Sequence, residues 1–132
     1  GLCNLRHLKE ELSARRAAYE RYSQCLANVR GIRLPPVNKD ITAKNYSYYP
    51  ILIDAEQYGE SRDELVERLN LHNVFPRKYF FPLASENEAF EKGLAEQTPY
   101  AKMYSRNILC LPLYAHIDPR DIDYICNIIT RK

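Results

Sequence analysis

Lys44-Asn45-Tyr46-Ser47-Tyr48-Tyr49-Pro50-Ile51-Leu52-Ile53-Asp54 is the stretch from which the architecture is read. Tyrosine, isoleucine and leucine crowd it. Aromatic and β-branched side chains fit a pleated, half-buried surface, so the stretch predicts a strand. Pro50 has no N–H to give to a ladder, which places the strand at a sheet edge or at a bulge. Upstream, Leu5, Leu8, Leu12, Tyr19, Tyr22, Leu26 and Val29 recur at three- and four-residue steps. That period predicts one long helix from about Asn4 to Val29, its apolar stripe interrupted at Arg15. Asn4 is the expected N-cap, Gly31 the C-terminal stop, and Pro35-Pro36 an extended connection.

Downstream, Ser61-Arg62-Asp63-Glu64 is a capping-box pattern. It opens a short helix with Leu65, Val66 and Leu69 on its apolar face, ending near Asn73. Val74 to Leu83 is aromatic and bracketed by Pro76 and Pro82. Two prolines forbid a regular helix, so a short strand running into a loop is expected. Ser85 to Gly93 is polar and reads as a surface excursion, and Pro99 to Arg106 as another short helix. Ile108 to Leu113, broken by Pro112, predicts a buried strand ending in a turn. Asp118-Pro119 is an N-cap followed by proline at the first helical position. Ile122, Ile125, Cys126 and Ile129 then face the core. The order is helix, strand, helix, strand, loop, helix, strand, helix. It predicts an α/β fold, a two-layer α/β sandwich with helices against a small sheet.

Composition excludes several classes. With 132 residues the chain makes one domain, and 19 basic against 17 acidic residues leave a net charge of +2. That balance argues against a nucleic-acid arm or a polybasic membrane anchor. Glycine occurs only at Gly1, Gly31, Gly59 and Gly93, so no GxGxxG or Walker A phosphate loop is present. Apolar runs fall far short of the ~20 residues that span a bilayer. The helical pattern starts at once, with no basic leader, as expected of a cytoplasmic chain that is processed or is a piece of a longer one. Cys3, Cys25, Cys110 and Cys126 form no CxxC, so no zinc site is expected. The even count allows a disulfide pair in a secreted chain, but the thiols read rather as buried and free in a reducing cytosol.

The usual catalytic constellations are missing. His7, His72 and His116 lie in no HExxH and beside no GxSxG elbow, and read as surface or packing residues, although His116 falls in a loop between a strand and an N-cap, where a function is open to it. Asp118 is explained as a cap and Asp121 as a favourable charge in a first helical turn. Glu10-Glu11 beside Arg15-Arg16 reads as pairing along a solvated helix face. Arg77-Lys78-Tyr79-Phe80-Phe81 is the most informative segment. It can be a stacking platform for nucleic acid. It can be a small-molecule site where Arg77 pairs an anion and Tyr79 offers a hydroxyl. It can also be core aromatics with rim charges.

At this segment the chain resembles the C-terminal part of the DegT/DnrJ/StrS sugar-nucleotide aminotransferases. Gly1-Leu2-Cys3-Asn4-Leu5 is similar to that family's opening of a long helix, with Arg15-Arg16 and Tyr22 following its pattern. Tyr46-Ser47-Tyr48-Tyr49-Pro50 resembles the strand that re-enters the active-site side. Phe75-Pro76-Arg77-Lys78-Tyr79-Phe80-Phe81-Pro82 resembles the loop of members acting on deoxyhexoses. Ile108-Leu109-Cys110-Leu111-Pro112-Leu113-Tyr114 resembles the strand that leads to the last helix.

The resemblance implies the small C-terminal domain of a fold-type I, aspartate-aminotransferase-like pyridoxal-phosphate enzyme. Residues 1–29 would be a long interdomain helix and residues 30–132 the small domain, with the large cofactor-binding domain upstream of Gly1. Such enzymes, usually homodimers, move an amino group, commonly from glutamate, to a keto sugar on a nucleotide, for surface polysaccharide or deoxysugar biosynthesis. The Schiff-base lysine and the aspartate on the pyridine nitrogen would belong to the large domain. No residue here, Lys78 included, would then be catalytic, no metal would bind, and the chain alone would be inactive. The implied substrate-binding residues are Arg77, Tyr79 and Tyr48. Arg77 would pair a phosphate of the sugar nucleotide or a carboxylate of the amino donor, and the tyrosines would bond the sugar or line its entrance. The chain lacks the "HY" pair that some members carry in this loop. The alternatives are a family sugar dehydratase, with histidine in place of the Schiff-base lysine, a stand-alone nucleotide- or RNA-binding module, or a structural piece. Nucleic acid and membrane are not expected partners. If a further domain covers the long helix, Leu5, Leu8, Leu12 and Tyr19 should not all be buried within this chain.

Overall fold

The long apolar period at the start of the chain does form a helix, α1 (Leu2–Leu26), but only its C-terminal half is packed. This computed structural model describes residues 2–36, 43–87 and 97–131. Ala18, Tyr22 and Leu26 of α1 are buried, one helical turn apart, whereas Leu2, Leu5 and Leu8 are exposed and Leu12 and Tyr19 half-buried. The expectation for the stripe therefore holds. Two details differ. The helix starts at Leu2, so Asn4 lies inside it and is no cap, and it stops at Leu26 rather than Val29. Turn bonds carry the chain on from there, Val29 N–H to Leu26 O and Ile32 N–H to Val29 O. Gly31 adopts φ 78°, the left-handed turn that glycine makes at little cost.

Three strands follow. They are β1 (Ile32–Arg33), β2 (Tyr49–Ile53) and β3 (Ile108–Leu111), in the order β1-β2-β3 and antiparallel throughout. The strand expected over residues 44–54 is shorter because Tyr46 takes a positive φ and the Asn45 side chain accepts the Ser47 N–H, a local turn. Pro50 lies in the central strand, not at an edge, which corrects the expectation. It is tolerated for a register reason. Pro50 pairs with Cys110, whose own N–H and C=O both go to Arg77 on the far side. The Pro50–Cys110 pair is thus of the non-hydrogen-bonded kind. On the other flank β1 reaches only Leu52 and Ile53, so no partner there needs an N–H from residue 50.

Registers Ile32↔Ile53, Ile51↔Leu109 and Tyr49↔Leu111 put six buried side chains on one sheet face. They join a single core cluster with Tyr22 and Leu26 of α1, Leu65 and Leu69 of α3 (Arg62–Leu71), and Ile122, Ile125 and Ile129 of α5 (Pro119–Thr130). The result is a small antiparallel sheet with a helical layer, an α/β architecture. Tyr49 anchors it, stacking on Tyr22 at 4.9 Å and meeting Tyr19 edge-on at 4.8 Å. Two elements were not anticipated: β1, and the one-turn helix α2 (Ala55–Tyr58), capped by Asp54 and closed by Gly59.

Local signals were otherwise followed. The Ser61–Glu64 capping box is complete, and the Asp118 side chain accepts from the Arg120 N–H at the head of α5. Helix α4 (Pro99–Asn107) runs directly into β3. The strand expected within residues 74–83 reduces to one bridge, Arg77 with Cys110. On one side the chain turns away at once, the Phe81 N–H closing on the Lys78 carbonyl. On the other, Pro112 has no N–H to offer Phe75 in the next register. The polar excursion opens with a 3₁₀ turn over Ala84–Glu86, and its remainder lies outside the described residues. The charge pairing on α1 also differs from expectation. Arg16 bonds Glu20 at 2.7 Å, while Arg15 reaches the Glu11 carbonyl. Of the four free cysteines, Cys110 and Cys126 are buried as expected, but Cys3 and Cys25 are exposed, being on solvated parts of α1. Among the described residues no helix is long and apolar enough to cross a membrane.

Candidate functional site

In an antiparallel pair, the start of one strand lies beside the end of the other. Tyr49 opposite Leu111 therefore brings Ser47 and Tyr48, which precede β2, next to Pro112, Leu113 and Tyr114, which follow β3. The Arg77–Cys110 bridge adds the aromatic loop on the third side. Together they enclose a cavity of about 320 Å³, lined among others by Tyr48, Phe75, Arg77, Tyr79, Pro112 and Tyr114. This is within the usual size range of small-molecule sites.

All three residues singled out from the sequence meet in this cavity. Arg77 Nη1 donates to the Tyr79 hydroxyl at 3.0 Å, and its guanidinium lies 5.9 Å from the Tyr79 ring centre. Tyr48 meets Tyr79 edge-on, 5.3 Å between ring centres. The backbone explains how. Arg77 is pinned by two bonds to Cys110, its N–H at 2.9 Å and its carbonyl at 2.8 Å. Extended backbone alternates its side chains, so Arg77 and Tyr79 share the cavity while Lys78 does not line it. Lys78 instead reaches Asp63 at 2.5 Å and, with the Arg62 guanidinium, holds that carboxyl below its ordinary range.

The wall is one permanent cation surrounded by hydroxyls and aromatic faces. Arg77 accounts for the cation, with four of its five donors not used on Tyr79. A guanidinium beside aromatic rings is suited to a phosphate or carboxylate joined to a ring-shaped polar body. No lysine or carboxylate lines the cavity, and no cluster of metal-ligating side chains occurs among the described residues. These residues therefore do not by themselves fit pyridoxal phosphate, which needs an amine for its Schiff base and an acid at its ring nitrogen.

Other candidates fall elsewhere. His116 is exposed and lies 3.5 Å from Glu11, and His7 faces Glu10 at 3.7 Å. His72 pairs with the Tyr124 hydroxyl at 3.1 Å, on a neighbouring surface hollow that shares Phe75, Pro112 and Tyr114 with the cavity. Tyr114, Phe75 and Pro112 were not singled out as site residues. The signal for them was the aromatic and proline content on either side of the two strands, which pattern reading assigns equally well to core.

Comparison with known proteins bears on this wall. Residues 1–130 match the family described as the DegT/DnrJ/EryC1/StrS aminotransferase family. The chain is 35% identical over 136 residues to a dTDP-4-amino-4,6-dideoxy-D-glucose transaminase of Escherichia coli, a match covering 100% of this chain and 36% of that protein. A Shigella dysenteriae protein of the same name is 33% identical, over 98% of this chain and 35% of its own length. Among solved structures, the aminotransferase TlmJ from Streptoalloteichus hindustanus superposes with a TM-score of 0.84 at 30% identity, covering 98% of this chain and 34% of that one. DesI, solved in the presence of its TDP-sugar product, gives a TM-score of 0.89 at 25% identity, with 99% and 34% covered. The chain thus spans about a third of the length of these relatives. By sequence along almost its whole length, and by its fold, this chain belongs to the DegT/DnrJ/EryC1/StrS aminotransferase family.

Proposed function

We propose that this chain is the small C-terminal domain of a pyridoxal-phosphate aminotransferase that aminates a keto-deoxysugar carried on a nucleotide. In this reading Arg77, Tyr79 and Tyr48 form a wall of the sugar-nucleotide pocket, and the cofactor with its Schiff-base lysine is held by a part of the protein outside these residues. The convergence of the three side chains on one cavity carries the reading. The relatives' share of length, with this chain matching about a third of each, supports the division of labour. The segment 1–29, which contains α1 (Leu2–Leu26), connects the two parts, the working form is a homodimer, and glutamate is the amino donor.

The cofactor supplies the electron sink and the transferable amine when bound. This chain's own contribution is recognition. The Arg77 guanidinium pairs a phosphate oxygen, or the donor carboxylate, through a charge-assisted bond. Its bond to Tyr79 fixes the direction of both side chains before the substrate arrives, which lowers the ordering cost of binding. The Tyr79 and Tyr48 rings offer an apolar face and a hydroxyl each, the combination that fits a deoxysugar.

The test is the full-length protein with glutamate and a dTDP-linked 4-keto-6-deoxysugar. Amino sugar formation is expected, and Arg77→Ala should raise the KM of one substrate. Dehydration of the sugar without amino transfer would move the reading to the family dehydratases. Tight, salt-sensitive RNA binding without turnover would overturn it.

A further inference from the structure

The sequence motif that the site did not absorb is Ser61-Arg62-Asp63-Glu64. Ser61 and Glu64 are spent on the cap of α3. Arg62 is not, and it is one of only two polar residues buried among those described, at 2% exposure. A buried guanidinium must be fully paired to be tolerated. Its partners come from four separate segments. Nη1 donates to the carbonyl of Ser105 in α4 at 3.1 Å and to that of Ile108 in β3 at 3.2 Å. Nε donates to Asp63 at 2.7 Å. The ring of Phe81, in the aromatic loop, lies 5.1 Å from the guanidinium carbon.

The same Asp63 oxygen that receives Arg62 also receives Lys78, at 2.5 Å. Lys78 in turn offers its carbonyl to the Phe81 N–H at 3.0 Å, closing the turn that contains Tyr79. The loop is therefore fastened on two sides. Arg77 is fastened to β3 by its backbone, while at the head of α3 Lys78 is fastened to Asp63 and Phe81 lies against Arg62. Tyr79 lies between these fastenings. With residue 78 drawn outward to Asp63, residues 77 and 79 are left facing the cavity.

We propose that Arg62, acting through Asp63 and Lys78, is a positioning residue for the substrate pocket. It rests on the reading of the cavity as the sugar-nucleotide site. Arg62 touches no cavity residue that would touch substrate. It sets the angle at which Arg77 and Tyr79 are presented, and Lys78 is the half-buried outer end of that relay, where it can be cut without emptying the buried guanidinium's place.

The experiment uses the full-length enzyme with Lys78→Met, Lys78→Arg, Arg62→Lys and Arg77→Ala. Thermal stability, kcat and the KM of each substrate are measured, with amide exchange at Phe81 as a readout independent of turnover. Lys78→Met should raise the KM for the nucleotide sugar roughly 10- to 100-fold, the scale of a displaced positioning contact. Its melting temperature should stay at the wild-type value, the Phe81 amide should exchange faster, and Lys78→Arg should restore both KM and exchange. Arg62→Lys should show the same KM change, and where it fails to fold Lys78→Met decides. Wild-type KM and exchange in Lys78→Met, beside a raised KM in Arg77→Ala, would overturn the positioning role and leave the site reading standing. Unchanged KM values in Arg77→Ala would overturn the site reading itself, and the proposal with it.

Discussion

Arg77 and Cys110 exchange both of their backbone hydrogen bonds, at 2.9 and 2.8 Å, as the single bridge between the aromatic loop and the sheet. The site is thus held by main chain and presented by side chain. The two functions separate in mutants. Arg77→Ala keeps the bridge, and its half-exposed side chain supports no core contact, so its unfolding free energy should lie within about 0.5 kcal/mol of wild type. Arg77→Pro removes the N–H that Cys110 O accepts and should cost about 1–3 kcal/mol. Urea unfolding followed by circular dichroism distinguishes them. Equal losses in both would mean that the arginine side chain holds the loop.

The buried tyrosines make the fold sensitive to alkali. Tyr49 and Tyr22 are both fully buried. Burial pushes the Tyr49 hydroxyl up to about 12, against the opposing effect of its bond to Ser23, and pushes Tyr22 higher still. Each folded value exceeds the unfolded value near 10, so the native state favours the protonated hydroxyl. That stabilisation is fully present below pH 10 and is lost as pH rises toward 12. The urea midpoint should be flat up to about pH 9 and then fall steeply. Tyr49→Phe should flatten the fall. A midpoint insensitive to pH between 9 and 11.5 would contradict the burial of both hydroxyls.

Much of this was legible locally and little of it globally. The Ser61–Glu64 box, the Asp118-Pro119 start and the isoleucines of α5 are short-range signals, and each appeared where the pattern placed it. The strand at residues 49–53 was legible, but its place in the sheet was not, because Pro50 is tolerated through its pairing with Cys110, sixty positions away. β1 is two residues long and has no pattern of its own. Arg77, Tyr79 and Tyr48 were reachable as an aromatic-basic cluster, and through resemblance. Arg62 was not, since a basic residue in a first helical turn ordinarily points to solvent, and the carbonyls of Ser105 and Ile108 that help make its burial tolerable lie more than forty positions away.

Gly31 is a glycine the fold cannot readily replace. Its φ of 78° is left-handed, and a Cβ there would lie 2.2 Å from the Tyr58 nitrogen and 2.6 Å from its Cα. Backbone atoms cannot swing aside as a side-chain tip can. The Gly31 carbonyl also accepts the Asp54 N–H at 2.8 Å, so the clash cannot be relieved without opening the junction of β1 with β2. Gly31→Ala should cost at least about 1–3 kcal/mol from the backbone conformation alone. A Gly31→Ala protein with the wild-type urea midpoint would show that the Tyr58 turn can move away.

The two halves of α1 should behave as different helices. From Ala18 onward the helix is held by core contacts, including Tyr22 O–H to the Pro112 carbonyl at 3.0 Å. Over residues 5–10 its side chains are exposed, with Leu5 at 62% and Leu8 at 42%, as is Leu2 at 78%, and its first turn carries no acidic residue to favour the dipole. A helical stretch of that length without tertiary support is marginal in water. Amide exchange on this chain alone should therefore show a gradient, fast over residues 5–10 and slow over 20–26. Leu5→Ser should leave the unfolding free energy within about 0.5 kcal/mol of wild type, since no packed contact is lost. In the full-length protein the same amides should become protected and Leu5→Ser should become costly, because the proposed second domain covers that stripe. Uniform protection along α1 in this chain alone, dependent on its concentration, would instead identify a second copy as what covers it.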